Sequence, residues 1–138
     1  MPTTHNSVLA LDVGEKRIGV ALASREARIA SPLTTLPNDD VFVSTLERLL
    51  HELNVDTIVV GLPRNLAGDD TPQTSYVRSF VEQLQSAMTI SCVWQDEAAT
   101  SVKAEEELRA RRKGYTREDI DALSAAYILE DYLGGTAN

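Results

Sequence analysis

The sequence predicts an α/β domain: a mixed five-stranded sheet, made of a three-strand meander plus parallel strands and flanked by helices. Three observations lead there. Strand-like runs follow one another directly at the N-terminus, two further β-branched runs each follow a helical repeat, and the last third reads as two helices separated by Gly114. The order β-β-β-α-β-α-β-α-α places hairpin strands first and right-handed crossover units after them.

Each element has a local reason. Ser7 to Val13 and Arg17 to Ala23 are apolar runs joined by a turn at Gly14, so they pair as a hairpin. A short third strand is expected at Arg28 to Ser31, ended by Pro32 and Pro37. From Asp40 to Asn54 the spacing of Phe42, Leu46, Leu49, Leu50 and Leu53 falls on one helical face, with Asn38 or Asp39 as the cap. Thr57 to Val60 is a continuous β-branched run, as expected of an interior parallel strand buried on both faces. Thr71-Pro72 reads as an N-cap with proline at the first helical position, and Val77, Phe80, Val81, Leu84 and Met88 form that helix's apolar stripe. A strand from Thr89 to Gln95 and helices from Ser101 to Arg112 and from Arg117 to Leu133 complete the chain. Thr116 and Asp119 form a capping-box variant, and Gly134-Gly135 marks the helix end.

At 138 residues the chain fits one domain spanning 1–138, and a domain of this size buries roughly two thirds of its unfolded surface. No apolar stretch approaches a membrane span and the N-terminus lacks a basic, signal-like segment, so no membrane partner and a cytoplasmic location are expected. Cys92 is the single cysteine, which rules out an internal disulfide and a cysteine-rich zinc site; its apolar surroundings make it a core residue. A net charge of −8 argues against nonspecific coating of nucleic acid, which needs many Lys and Arg. An enzyme touching nucleic acid locally stays open, because clustered acids at a metal site contribute to that total.

The chemistry points to three acidic positions. Asp12 ends an apolar run just before Gly14, Asp96-Glu97 lies just past the last strand, and Asp121 shares a helical stripe with Ser124, Ala125 and Ile128. If the first strand lies between the second and fourth, Asp12 and Glu97 open on the same sheet edge. Converging carboxylates are costly without a cation, and hard oxygen ligands suit Mg²⁺ or Mn²⁺. Two such ions about 4 Å apart activate a water and stabilise a leaving oxygen in phosphodiester cleavage. Any one of these carboxylates alone is better explained as a cap or surface group, so only the triplet carries the reading.

Asp12-Val13-Gly14-Glu15-Lys16-Arg17-Ile18-Gly19-Val20-Ala21, Val59-Val60-Gly61-Leu62-Pro63, Asp96-Glu97 with Thr100-Ser101-Val102, and the run Asp121 to Leu129 resemble the YqgF family of bacterial proteins, also called RuvX. Four motifs occur in order from about Leu9 to Leu133. The resemblance implies a ribonuclease H-like fold and a nuclease maturing the 5′ end of the small-subunit ribosomal RNA precursor; members are also described as Holliday-junction resolvases. It implies Asp12, Glu97 and Asp121 as catalytic and metal-binding residues, with Asp96 as a neighbouring candidate. The family usually has Arg and then Leu after the Asp-Glu pair, where this chain has Ala98 and Ala99. Any contact made by that arginine is missing here.

Candidate substrate contacts are basic. Lys16 and Arg17 either meet phosphate near Asp12 or form a solvated turn. The Gly61-Leu62-Pro63 turn either admits a phosphate or simply ends a strand, and Arg64 follows it. Arg109, Arg111, Arg112, Lys113 and Arg117 form the one basic cluster in an acidic sequence, the best candidate for a nucleic-acid contact, although the helix dipole explains part of it. Tyr115 within it has a face on which a base could stack. His5 and His51 have no partners at ligand spacing. The readings in play are a ribosomal RNA nuclease, a resolvase of branched DNA acting as a homodimer, an inert RNA-binding assembly factor, and a nucleotide-binding protein of the actin and sugar-kinase type, which needs far more chain.

Overall fold

The computed structural model describes residues 6–97 and 100–135. In order they form β1 (Ser7–Val13), β2 (Arg17–Ser24), β3 (Ser31–Pro37), α1 (Phe42–Glu52), β4 (Val55–Pro63), α2 (Pro72–Ala87), β5 (Ser91–Glu97), α3 (Thr100–Ala110) and α4 (Arg117–Gly135). The sheet order is β3-β2-β1-β4-β5. β1, β2 and β3 pair antiparallel as a meander, whereas β4 and β5 join parallel to β1 and to each other. The expected mixed sheet is present, with β1 between β2 and β4.

Strand alternation divides the core between two faces. Leu9, Leu11, Val13, Ile18, Val20, Ile58 and Val60 pack under α1 and α2 against Phe42, Leu46, Val77, Val81 and Leu84. Val8, Ala10, Ala21, Ala23 and Val59 pack under α3 and α4 against Ala104, Ala125, Ala126, Ile128 and Leu129. Half-buried Cys92 packs against the first of these clusters, and burial pushes its thiol pKa up, consistent with an unreactive core position. No helix among the described residues is long and apolar enough to cross a membrane.

Several boundaries differ from expectation for identifiable reasons. β3 runs through Pro32 and begins only at Ser31. It is an edge strand, where a missing N–H costs no interior hydrogen bond, and its ladder skips a residue between Val20 and Ala21. Neither Asn38 nor Asp39 is the N-cap of α1; that position is Val41, without a side-chain cap. Asp39 instead accepts from the Val41 N–H at 3.1 Å, and Asn38 is committed elsewhere. α3 stops at Ala110 because Arg112 takes a left-handed φ of 57°. Asp96 and Glu97 lie within β5, not past it.

The caps of α2 and α4 form as the sequence indicates. Thr71 caps α2 with Pro72 at its start, and Thr74 completes a capping box. Buried Thr74 also donates its hydroxyl to the Pro63 carbonyl, tying the helix start to the end of β4. In α4, Asp119 accepts from the Thr116 N–H at 2.9 Å while Thr116 Oγ1 accepts from the Asp119 N–H at 3.2 Å.

The seat of α4 is set by Gly19 of β2. A methyl group at Gly19 would lie 2.0 Å from the Asp121 carbonyl oxygen and 2.4 Å from its carbon, so backbone meets backbone there. Neither side can yield by a rotamer change. Gly19→Ala is expected to destabilise the fold by about 1–3 kcal/mol, the usual cost of forced overpacking, measured as a lower urea midpoint. An unchanged midpoint would show that the helix shifts freely.

Candidate active site

The C-terminal ends of the three parallel strands open onto a cleft of about 430 Å³ lined by Asp12, Glu97, Asp121, Lys16, Arg17 and Gln73, with Gly14, Gly61 and Pro63 among its backbone walls. Parity explains why the carboxylates meet. Asp12 alternates with Val8 and Ala10 and so faces α4; Glu97 shares the face of Val93; Asp121 is carried by α4 itself.

Glycines make the convergence possible. Asp12 pairs across the ladder with Gly19, and on its other side Leu11 pairs with Val60, which brings Gly61 of β4 alongside. A methyl group at Gly61 would lie 2.5 Å from Ile128 Cδ1 and 3.1 Å from Glu97 Cγ. Gly61 therefore neither ends a strand nor turns the chain; it lies inside β4 and leaves room for Glu97 and Ile128. Sequence reasoning missed this role and that of Gly19, although glycine inside a strand is itself the signal of close approach.

Two more residues escaped the sequence reading as site elements. Asn38 donates from Nδ2 to the Gly14 carbonyl at 2.8 Å and to Tyr76 Oη at 3.0 Å, while its own N–H reaches the Lys16 carbonyl at 2.9 Å. Gln73, in the first turn of α2, donates to the Val13 carbonyl at 3.1 Å. Together they hold the tight Gly14 to Arg17 turn, which is closed by the Gly14 N–H on the Arg17 carbonyl at 2.9 Å.

The electrostatics are unbalanced. Burial, then the neighbouring Glu97 and Asp121 charges, push the Asp12 pKa from the usual 3.8 up to about 7. Arg17 pairs directly with the triplet, its Nε 2.7 Å from Asp121 Oδ2. Among the described residues no three carboxylate, histidine or cysteine groups already form a cage around one ion.

The basic candidates divide. Lys16 and Arg17 line the acidic cleft. Arg64 lies between Asp70 and Asp96, at 3.6 and 3.7 Å, beside Glu97. The structure does not bring Arg109, Arg111, Arg112 or Lys113 to the cleft. Arg109 and Arg111 pair with Glu105 and Glu107 one helical turn back, and Arg111, Lys113 and Tyr115 line a separate hollow against β3. Local charge pairing on the helix accounts for Arg109 and Arg111. Ala98 and Ala99 lie outside the described residues.

The fold is ribonuclease H-like. The chain superposes on Thermus thermophilus RuvC in complex with a Holliday junction substrate with a TM-score of 0.56, covering 97% of this chain and 99% of that one at 15% identity. The RuvX family model, described as Holliday junction resolvase, matches residues 6–135, and the chain belongs to that family. It is 40% identical over 138 residues to a protein of Chloroflexus aggregans named "Putative pre-16S rRNA nuclease", covering 97% of each chain. A protein of the same name from Sulfurihydrogenibium is 38% identical over 128 residues, covering 91% of this chain and 88% of that one.

The raised Asp12 pKa has a consequence for stability. Between about pH 4 and pH 7 the folded chain keeps a proton that the unfolded chain has released, so stability falls as pH rises through this window. In metal-free protein the loss is on the order of 4 kcal/mol, about three pKa units. Asp12→Asn is expected to flatten this decline and to be the more stable form at pH 8, compared by urea denaturation at pH 4.5 and 8. Parallel pH profiles for the two proteins would refute the assignment.

Proposed function

We propose that this chain is a divalent-metal-dependent nuclease that hydrolyses phosphodiester bonds at the 5′ end of pre-16S ribosomal RNA. One observation carries the reading: three carboxylates from β1, β5 and α4 share one cleft, where burial, and then the neighbouring Glu97 and Asp121 charges, raise Asp12 to about 7. The relatives' name supplies the substrate. Nucleic acid is the partner that a nuclease of this family engages.

Asp12, Glu97 and Asp121 are the residues that would hold the metal. Their donor set fits a hard cation: carboxylate oxygens with excess negative charge, and no sulfur or imidazole in the cleft. Bound there, Mg²⁺ or Mn²⁺ supplies an activated water and stabilises the leaving oxygen. Asp12, raised to about 7, would hold such a cation as the ionised carboxylate, and Asp121, now paired with Arg17 at 2.7 Å, would have its charge shared between the two. The partly exposed Arg17 guanidinium and the Lys16 ammonium, both lining the cleft, would be available to a substrate phosphate. Gln73 and Asn38 keep the turn carrying these two residues fixed. Arg64 lies near Asp96 at the rim of the neighbouring hollow, and the Arg109 to Lys113 run does not line the cleft.

A second reading, a resolvase of four-way DNA junctions, is favoured by the description of the family model. It additionally requires a homodimer, because paired cuts need two sites related by a twofold axis. Cleavage of a labelled pre-16S RNA and of a synthetic junction, each with Mg²⁺ or Mn²⁺, separates the two. Asp12→Asn and Glu97→Gln are each expected to lower the rate at least about a hundredfold, as for loss of a group stabilising transition-state charge, with the fold retained. Metal-dependent cutting that survives both substitutions would overturn the proposal, and no cutting of either substrate by folded wild type would favour an inert assembly factor.

Arg17→Ala is expected to act in two directions. Freed of its guanidinium, Asp121 should bind Mn²⁺ more tightly, by about three- to tenfold for the loss of one competing ion pair, while cleavage falls because the phosphate loses a partner. Calorimetric titration of Mn²⁺ checks the first half; weaker binding would show that Arg17 supports the metal site instead of competing with it.

A further inference from the structure

Leu66 is 95% exposed, the most exposed large apolar side chain among the described residues. It stands at the tip of the segment joining β4 to α2, and that segment is tightly built. The Asn65 side-chain oxygen accepts from the N–H groups of Ala67 and Asp69 at 3.0 and 2.9 Å, and the Asn65 N–H reaches the Asp69 carbonyl at 3.1 Å. Gly68 turns at a φ of +84° and donates to the Asn65 carbonyl at 2.9 Å. At its base Asp70 pairs with Arg78 of α2 at 2.6 Å and lies 3.6 Å from Arg64. A leucine is thus held out into water on a braced loop.

Its position gives the exposure a use. Leu66 lines a hollow with Arg64, Asn65, Gly68, Asp96 and Glu97, and Glu97 also lines the carboxylate cleft. The hollow therefore adjoins the place where a scissile phosphate would sit. A nucleic-acid strand threaded through the cleft presents alternate chemistry along its length: phosphates, which meet the metal-binding carboxylates and Lys16, and bases, which need an apolar surface. Apolar side chains of this size act on nucleic acids by packing on a base face or wedging between base steps. The loop's one cation, Arg64, lies between Asp70 and Asp96 at 3.6 and 3.7 Å, and its other charges, Asp69 and Asp70, are acidic, so the exposed tip itself offers a strand an apolar surface and no positive charge.

Resting on the nuclease reading above, we propose that Leu66 packs against a nucleobase next to the scissile phosphate and fixes the substrate's register in the cleft. The ligand chemistry is an unpaired or loosely stacked base, whether from RNA or from branched DNA. Because Leu66 touches no core cluster, its replacement leaves the fold intact.

The test uses the full chain in an Asp12→Asn background, so that substrate is bound but not cut. One arm uses single-stranded RNA of the precursor 5′ end, the other a four-way DNA junction, each carrying 2-aminopurine beside the cleavage position. Leu66→Ala and Leu66→Ser are expected to weaken binding about five- to tenfold, as for loss of one base contact, and to abolish the 2-aminopurine signal change. Leu66→Phe is expected to keep both, and all variants to melt with the parent. The arm that responds identifies the source of the base. Unchanged affinity and fluorescence in Leu66→Ala would overturn the base contact while leaving the nuclease reading standing. Failure of the parent to bind either nucleic acid would overturn both.

Discussion

The close approach of α4 to β2 at Gly19 is the constraint on which the remaining geometry rests. Helix and strand backbones can touch only where a side chain is missing, and the helix meets the sheet there with small residues: Ala122, Ser124, Ala125 and Ala126 are all buried. A larger separation would lift Asp121 off the sheet and open a gap under Ile128, which reaches down to Gly61. Two glycines in two strands therefore fix the height of one helix, and through it the distance between carboxylates that are over a hundred residues apart in sequence.

That arrangement sets stability against chemistry. Asp12 occupies a strand position between apolar neighbours, under a helix, with two further acids in the same cleft. Left to folding alone, the position would favour an apolar residue. The cost is carried by the rest of the domain: β1 and β4 are buried on both faces, and α4 is held to α3 by buried contacts and by the Tyr127 hydroxyl on Glu107. Lys103 lies over the same ring at 4.4 Å. A site that is locally unfavourable persists because the elements around it are over-determined.

Much of this was written legibly in the chain. Element order, the parallel nature of β4, the Thr71-Pro72 start of α2 and the Thr116–Asp119 box follow from periodicity and capping chemistry, which act within a few residues. Asp12 and Asp121 were recognisable because each breaks an apolar pattern. Long-range fit was not legible. Asn38 looked like a helix cap because its sequence neighbours are those of a cap, whereas its partners, Gly14 and Tyr76, are distant in sequence. The Arg109 to Lys113 run looked like a ligand surface because sequence shows charge but not direction; in the fold, glutamates on the same helix face partner two of those arginines. Pro32 was read as a stop because proline is excluded from interior strands, and only topology shows that β3 is at the edge.

The two borders of the sheet are unequal in their exposure to self-association. On one border, Pro32 removes a donor and the irregular ladder bends β3, so an incoming strand finds no regular template. The opposite border, β5, carries a half-exposed Trp94 on an unbroken ladder and is guarded by the charges of Asp96 and Glu97 at its end alone. Of the two, Glu97 belongs to the acidic cleft. A cation held by Glu97 would therefore also lower the electrostatic barrier to strand-on-strand aggregation along β5, linking colloidal behaviour to occupancy of the site.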